Sequence, residues 1–297
     1  MLITAGCYID SQERASLSNP AVTSAGLSLA AAACWGTADF NGGLAAKGSD
    51  AFGVVVVAHG AGLLCMLAFA LATGEPIPPR SALLWGAAAG LAGGIGLAAL
   101  YRALAIGQMG INAPVAAMIT AALPVVVSFR TEGLPTVMQF AGFALALLAI
   151  GLIAMPSQEL GRPKGLGLAV VAGVGFGGFL VLSRQAATQS VFWPLVMARA
   201  ASMSLMLVLV TIRGEPWKPN RALLRYMLVA GIVDSFGNAL FVAATRRGRL
   251  DVAAVLSSLY PAATVLLARF LLKERISRLQ TTGMAAALIA VPMIAGR

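Results

Sequence analysis

Ionisable residues are scarce in this chain. Asp and Glu together number 11 in 297 residues, His occurs once, and charged residues make up 11%. Soluble domains carry about 25%, so these charges are too few to cover a globular surface. The three cysteines, Cys7, Cys34 and Cys65, stand far apart. They show neither a disulfide framework nor a metal-ligand spacing, so no metal site is expected. The patterns GxxxxGK[ST], HExxH and GxSxG do not occur. Nucleotide binding by a P-loop, zinc proteolysis and serine hydrolysis through those motifs are thereby excluded. The expectation is a protein that is not an enzyme, with no catalytic residues and no cofactor.

What the chain has is apolar length. Hydrophobic residues make up 59% and the mean hydropathy is +0.86. Runs of about 18 or more apolar residues, long enough to cross a bilayer core, recur from end to end. Turn signals and charges divide them into ten spans: 21–45, 52–72, 82–105, 111–129, 137–155, 165–186, 192–212, 222–245, 251–272 and 279–296. The first twenty residues read as a polar tail, and the run behind them as a retained first span. The net charge of +10 falls mostly between spans, at Arg246, Arg247 and Arg249 or at Lys273, Arg275 and Arg278. Such charges sit at headgroups and set topology, so nucleic acid is not an expected partner.

The chain repeats itself. "GEPIPPRSALL" at 74–84 returns as "GEPWKPNRALL" at 214–224, with seven of eleven positions identical. The offset of 140 also relates Ala99-Leu100 to Ala239-Leu240 and Ala103 to Ala243. Near the ends of the halves, Glu132, Gln139 and Gly142 relate to Glu274, Gln280 and Gly283 at 141 or 142, and Pro124 relates to Pro261 at 137. The repeated string itself reads as loop punctuation. The domains are then a tail (1–20), a first five-helix repeat (21–156) and a second (165–297). A repeat of five spans enters the membrane from the opposite side in its second copy. The fold class is therefore an all-α membrane protein, ten transmembrane helices as two inverted five-helix repeats. Such repeats build a midplane site that opens alternately to either side.

The carrying motifs are Trp35-Gly36, "ALAIGQMGINAPVAAMITAALP", Glu132 with "QFAG", and the segment from "AATRRGRLDVAAV" through Pro261, "KER" at 273–275, Gln280 and Gly283. In order and doubling they resemble the drug/metabolite transporter superfamily, EamA type. The sequence as a whole leans to its YddG-type exporters of aromatic amino acids. The resemblance implies export of small metabolites, and both termini in the cytoplasm of a bacterial inner membrane. It departs at His59, where members often have Arg, and at Phe176-Gly177 in place of the Trp-Gly pair. Counted by side, about 8 Lys and Arg fall with the termini and about 12 opposite, which leans against that orientation. A monomer, the bilayer and a small-molecule substrate are the expected state and partners. A multidrug or other metabolite exporter, a channel and an intramembrane enzyme are the alternatives.

Ionisable groups within spans cost about 2.5–3.5 kcal/mol each and mark function by default. Asp39, His59, Arg199 and Asp234 are these groups. His59 suits hydrogen bonding or proton exchange, or else fixes helix packing. Asp234 and Asn238, four apart, share a helix face, and Arg199 in the adjacent span can neutralise Asp234 or clamp a zwitterion. Trp35 shares a face with Asp39, and Tyr101 adds a second aromatic. Ser257 and Tyr260, beside Pro261, form a polar break near mid-depth. These nine residues are the expected substrate site. Trp85, Trp193 and Trp217 are expected in interfacial belts.

Overall fold

The computed structural model describes residues 20–46, 48–106, 109–154, 164–187, 189–214, 220–273 and 276–296. The tail through residue 19 and most of the link between the halves lie outside them. The described residues form eleven α-helices, one 3-10 turn and no strand. The first half holds α1 (Pro20–Ala46), α2 (Ala51–Ala72), α3 (Arg80–Ile106), α4 (Met109–Thr131) and α5 (Val137–Ala154). The second holds α6 (Leu166–Ala186), α7 (Phe192–Arg213), a 3-10 turn (Arg221–Leu223), α8 (Leu224–Thr245), α9 (Leu250–Ser257), α10 (Tyr260–Leu271) and α11 (Arg278–Ala295). Eight segments are long and apolar enough to span, α9 with α10 counting as one, and Val115–Thr131 and Val137–Ile153 are shorter apolar helices. This is a multi-pass membrane protein.

The ninth span is the one that departs from a continuous helix. It breaks at Ser258-Leu259, between α9 and α10. Pro261 has no N–H to give the Ser257 carbonyl, and the Leu259 amide bonds the Leu256 carbonyl at 3.3 Å, a 3-10 closure. Pro124 causes no such break, since α4 continues through it.

Helices find their main partners in the opposite half. The most extensive packing joins α3 to α6, α1 to α8 and α5 to α11, followed by α3 with α7, α4 with α6, α2 with α7 and α2 with α8. Glycine makes the closest approaches possible. A side chain at Gly90 would collide with the Ala198 carbonyl, and one at Gly231 with the Ala58 carbonyl. Both bring a helix backbone directly onto its neighbour, as small-residue ridges do in membranes.

Two pairs of such contacts are spaced alike along the chain. Ala58 and Ala198 are 140 apart, and the glycines they meet, Gly231 and Gly90, are 141 apart. Gly177 packs on the Thr120 carbonyl and Leu123, as Gly36 packs on the Tyr260 carbonyl and Ala263, at spacings of 141 and 140.

Several loops are held by polar contacts between halves. Glu132 lies 3.3 Å from Arg184, accepts from the Leu250 amide at 2.8 Å, and its own carbonyl accepts from Arg249 at 3.0 Å. Arg249 also bonds the buried Asp251 at 2.7 Å, and that hydrogen bonding raises the Arg249 pKa above its ordinary value. The "GEPIPP" string is more than punctuation. The Glu75 carboxylate accepts from the amides of Val191 (3.1 Å) and Phe192 (2.9 Å), at the start of α7. Its backbone carbonyl accepts from the indole of Trp193 at 3.0 Å, which ties that belt tryptophan to the loop. Trp85 is exposed, and Trp217 lies outside the described residues.

Candidate functional site

α1 and α8 run antiparallel, and their contacts fix which residues face each other. The Ser24 hydroxyl donates to the Ala244 carbonyl at 3.0 Å, and the Trp35 indole donates to Asn238 Oδ1 at 3.0 Å. Farther along, Gly42 faces Ala230. One turn from the Trp35–Asn238 bond, Asp39 of α1 thus stands opposite Asp234 of α8. The ring of Phe241 lies 5.8 Å from that of Trp35 and backs the indole from within the core.

α2 and α7 supply the basic groups. Arg199 is paired with Asp234, its side chain 8% exposed against 33% for the aspartate. The guanidinium therefore sits behind the carboxylate, and Asp234 keeps an open side. His59 Nδ1 lies 2.9 Å from the Ser202 hydroxyl, three residues beyond Arg199 and so on the same face of α7. Gly62 leaves the space this needs: a side chain there would collide with Ser235 and stand 3.4 Å from Arg199 Nε. Ser202, Gly62 and Ser235 were not among the expected site residues. Their signal was spacing, since Ser202 is three residues from Arg199 and Gly62 three from His59.

The broken span completes the wall. The Tyr260 carbonyl packs where a side chain at Gly36 would be, and Thr264 donates to the Gly36 carbonyl at 3.1 Å. Ser257 takes no part: it is fully buried, and its hydroxyl donates to the Ala253 carbonyl at 2.7 Å. The Asn238 amide is likewise buried and serves to hold Trp35. The Tyr101 side chain lies outside the described residues. Trp35, Asp39, His59, Arg199, Asp234, Asn238 and Tyr260 are thus brought together, from both halves of the chain.

One stripe of α1 lines the site. Ser28, Ala32, Trp35 and Asp39 share a face. Ser28 and Ala32 are buried, Trp35 is half-buried and Asp39 is exposed. Exposure along this face thus rises toward the end of α1 that leads into the α1–α2 link. Polar contacts join the halves at both ends of the helices, through Glu132–Arg184 and Arg249 at one and the Asn220 amide donating to Ser49 at 3.2 Å at the other. No histidine, cysteine and carboxylate grouping suited to a metal ion occurs among the described residues.

The architecture has a solved counterpart. A structure described only as "Crystal structure of protein" matches with a TM-score of 0.76 and 18% identity, over 92% of this chain and 98% of that one. At that identity the likeness concerns the fold alone. No curated protein matches the chain in sequence. Residues 163–296 match the model of the EamA-like transporter family, the region from the start of α6 to the end of α11. The second half of this membrane protein is thus similar to the EamA-like transporter family.

Proposed function

We propose that the chain is a secondary transporter that exports small metabolites, amino acids with aromatic or other apolar side chains, by alternating access. The observation that carries this reading is the convergence of Asp39, His59, Arg199 and Asp234 on one interface between the halves. Four costly ionisable groups gathered within the spans favour a substrate path over a structural role. The helix pairings support an inverted repeat. Exchanging the halves turns the α3–α6 pair into α8–α1, α3–α7 into α8–α2, and α5–α11 into itself. Two packings related by that exchange supply the two states that alternating access requires.

The exposure of Asp39 near the α1–α2 link fits one of those states, open on that side. With both termini cytoplasmic in a bacterial inner membrane, the open side is the outer one. Saturable counterflow of labelled phenylalanine in liposomes containing the purified protein is the expected result. An ion current that does not saturate, without counterflow, overturns the reading in favour of a channel. Orientation is checked separately by a reporter fused to the C-terminus, and activity only in the periplasm reverses it.

A further inference from the structure

We infer that the site holds its substrate by an ammonium group between Asp39 and Asp234, so that amines without a carboxylate are ligands and carboxylates without an amine are not. The inference rests on the transporter reading for its biological sense, but its geometry stands independently. Two carboxylates face each other across α1 and α8, one turn from the Trp35–Asn238 hydrogen bond. One guanidinium lies beside the pair. Arg199 is bound to Asp234 from the buried side, leaving the outer side of that carboxylate open. Asp39 is exposed and has no hydrogen bond or ion pair among the described residues. Asp39 therefore lacks a basic partner, and both accessible ionisable groups are acids.

The surroundings fit an organic cation. Trp35 lies one turn from Asp39 on the same face, and the Tyr260 backbone packs on Gly36, three residues before Asp39. An ammonium between two carboxylates and beside aromatic faces gains both charge pairing and cation–π attraction. His59 is engaged with Ser202 next to Arg199. A substrate carboxylate at this site meets the two acids and is repelled.

The scaffold does not require these acids. At the register of 141, Asp39 corresponds to Leu180 and Asp234 to Gly93. The packing glycines are kept in both halves, at Gly90 and Gly231 and at Gly36 and Gly177, whereas neither carboxylate is. The acids belong to one side of a site that its duplicated frame would otherwise make symmetric.

Binding to the purified full-length protein in detergent tests this without requiring transport. The ligands are a series of primary amines from ethylamine to tryptamine, with tryptophan, N-acetyltryptophan and indole-3-propionate. Tryptamine and tryptophan are expected to bind, and N-acetyltryptophan and indole-3-propionate to compete at least 10-fold more weakly. Asp39→Asn should weaken tryptamine binding at least 10-fold, while Asp39→Glu, which keeps the charge, retains binding within about threefold and controls for folding. Unchanged tryptamine affinity in Asp39→Asn, equal binding of indole-3-propionate, or no binding by any amine overturns the inference. Amine binding through Asp39 without counterflow in liposomes leaves it standing and removes the transporter reading.

Discussion

Glu75, in the link after α2, caps the first turn of α7, more than a hundred residues away. Its carboxylate takes up the Val191 and Phe192 amides and the Ser190 hydroxyl, the last at 2.5 Å. The first amides of a helix have no partner within it, and a carboxylate there also answers the helix dipole. Charge-assisted hydrogen bonds contribute about 1.5–3 kcal/mol. Glu75→Ala should therefore lower the thermal transition of the detergent-solubilised protein by several degrees while leaving ligand affinity within about twofold. An unshifted transition would falsify the capping role.

Asp234 and Arg199 form a pair in which breaking one partner leaves the other charge within the membrane span. Removing one member of a buried pair costs about 3–5 kcal/mol, and removing both is often much milder. Asp234→Asn and Arg199→Gln should each reduce folded yield more than the double variant does. Detergent-resistant monodisperse protein is the quantity to measure. Effects that simply add would show that the two residues are not energetically coupled.

His59 makes its polar contact with Ser202, between α2 of one half and α7 of the other. His59→Ala should slow counterflow several-fold and leave insertion and folded yield unchanged, and Ser202→Ala should produce a smaller loss in the same direction. Wild-type counterflow in both variants would remove this contact from the transport cycle.

Gly90 and Gly231 press on the Ala198 and Ala58 carbonyls, so any side chain at either site meets backbone. Each glycine replaced by Val should cost about 2 kcal/mol or more, because neither helix can withdraw without losing its packing. Gly26 has nothing within 4 Å of the place a side chain would occupy, and Gly26→Ala should be neutral. Thermal stability of the three variants, measured side by side, decides the matter. Equal losses at Gly26 and Gly90 would refute the argument from close approach.

Most of the helices were legible because an apolar run bounded by turn residues is a strong local signal. The expected second span, 52–72, and the observed Ala51–Ala72 differ by one residue. Gly74 and Gly214, which open the two copies of the repeated string, both adopt left-handed backbone, with φ of 63° and 64°. The end-of-repeat motif also has a local cause. Thr136 with Gln139, and Ser277 with Gln280, each form a reciprocal capping box at the start of the last helix of a half.

The misreadings involve contacts between distant parts of the chain. Glu75 looked like part of a turn because its partners lie at 190–193. Ser257 looked available because a hydroxyl bonded to its own helix leaves no mark in sequence. The Asp234–Arg199 pair was readable for a physical reason: opposite charges within neighbouring spans have few other ways to be tolerated.

The preference of each helix for partners in the other half has a consequence for biogenesis. α1 packs chiefly on α8, α3 on α6 and α5 on α11. During synthesis, the first five helices enter the bilayer before those partners exist, with their glycine faces against lipid. The membrane holds them as separate rods until the second half arrives, and folding is then a late assembly of two sets of helices. Two separately expressed halves, cut in the link between α5 and α6, should accordingly reconstitute one protein when made in the same cell, and neither should be stable alone.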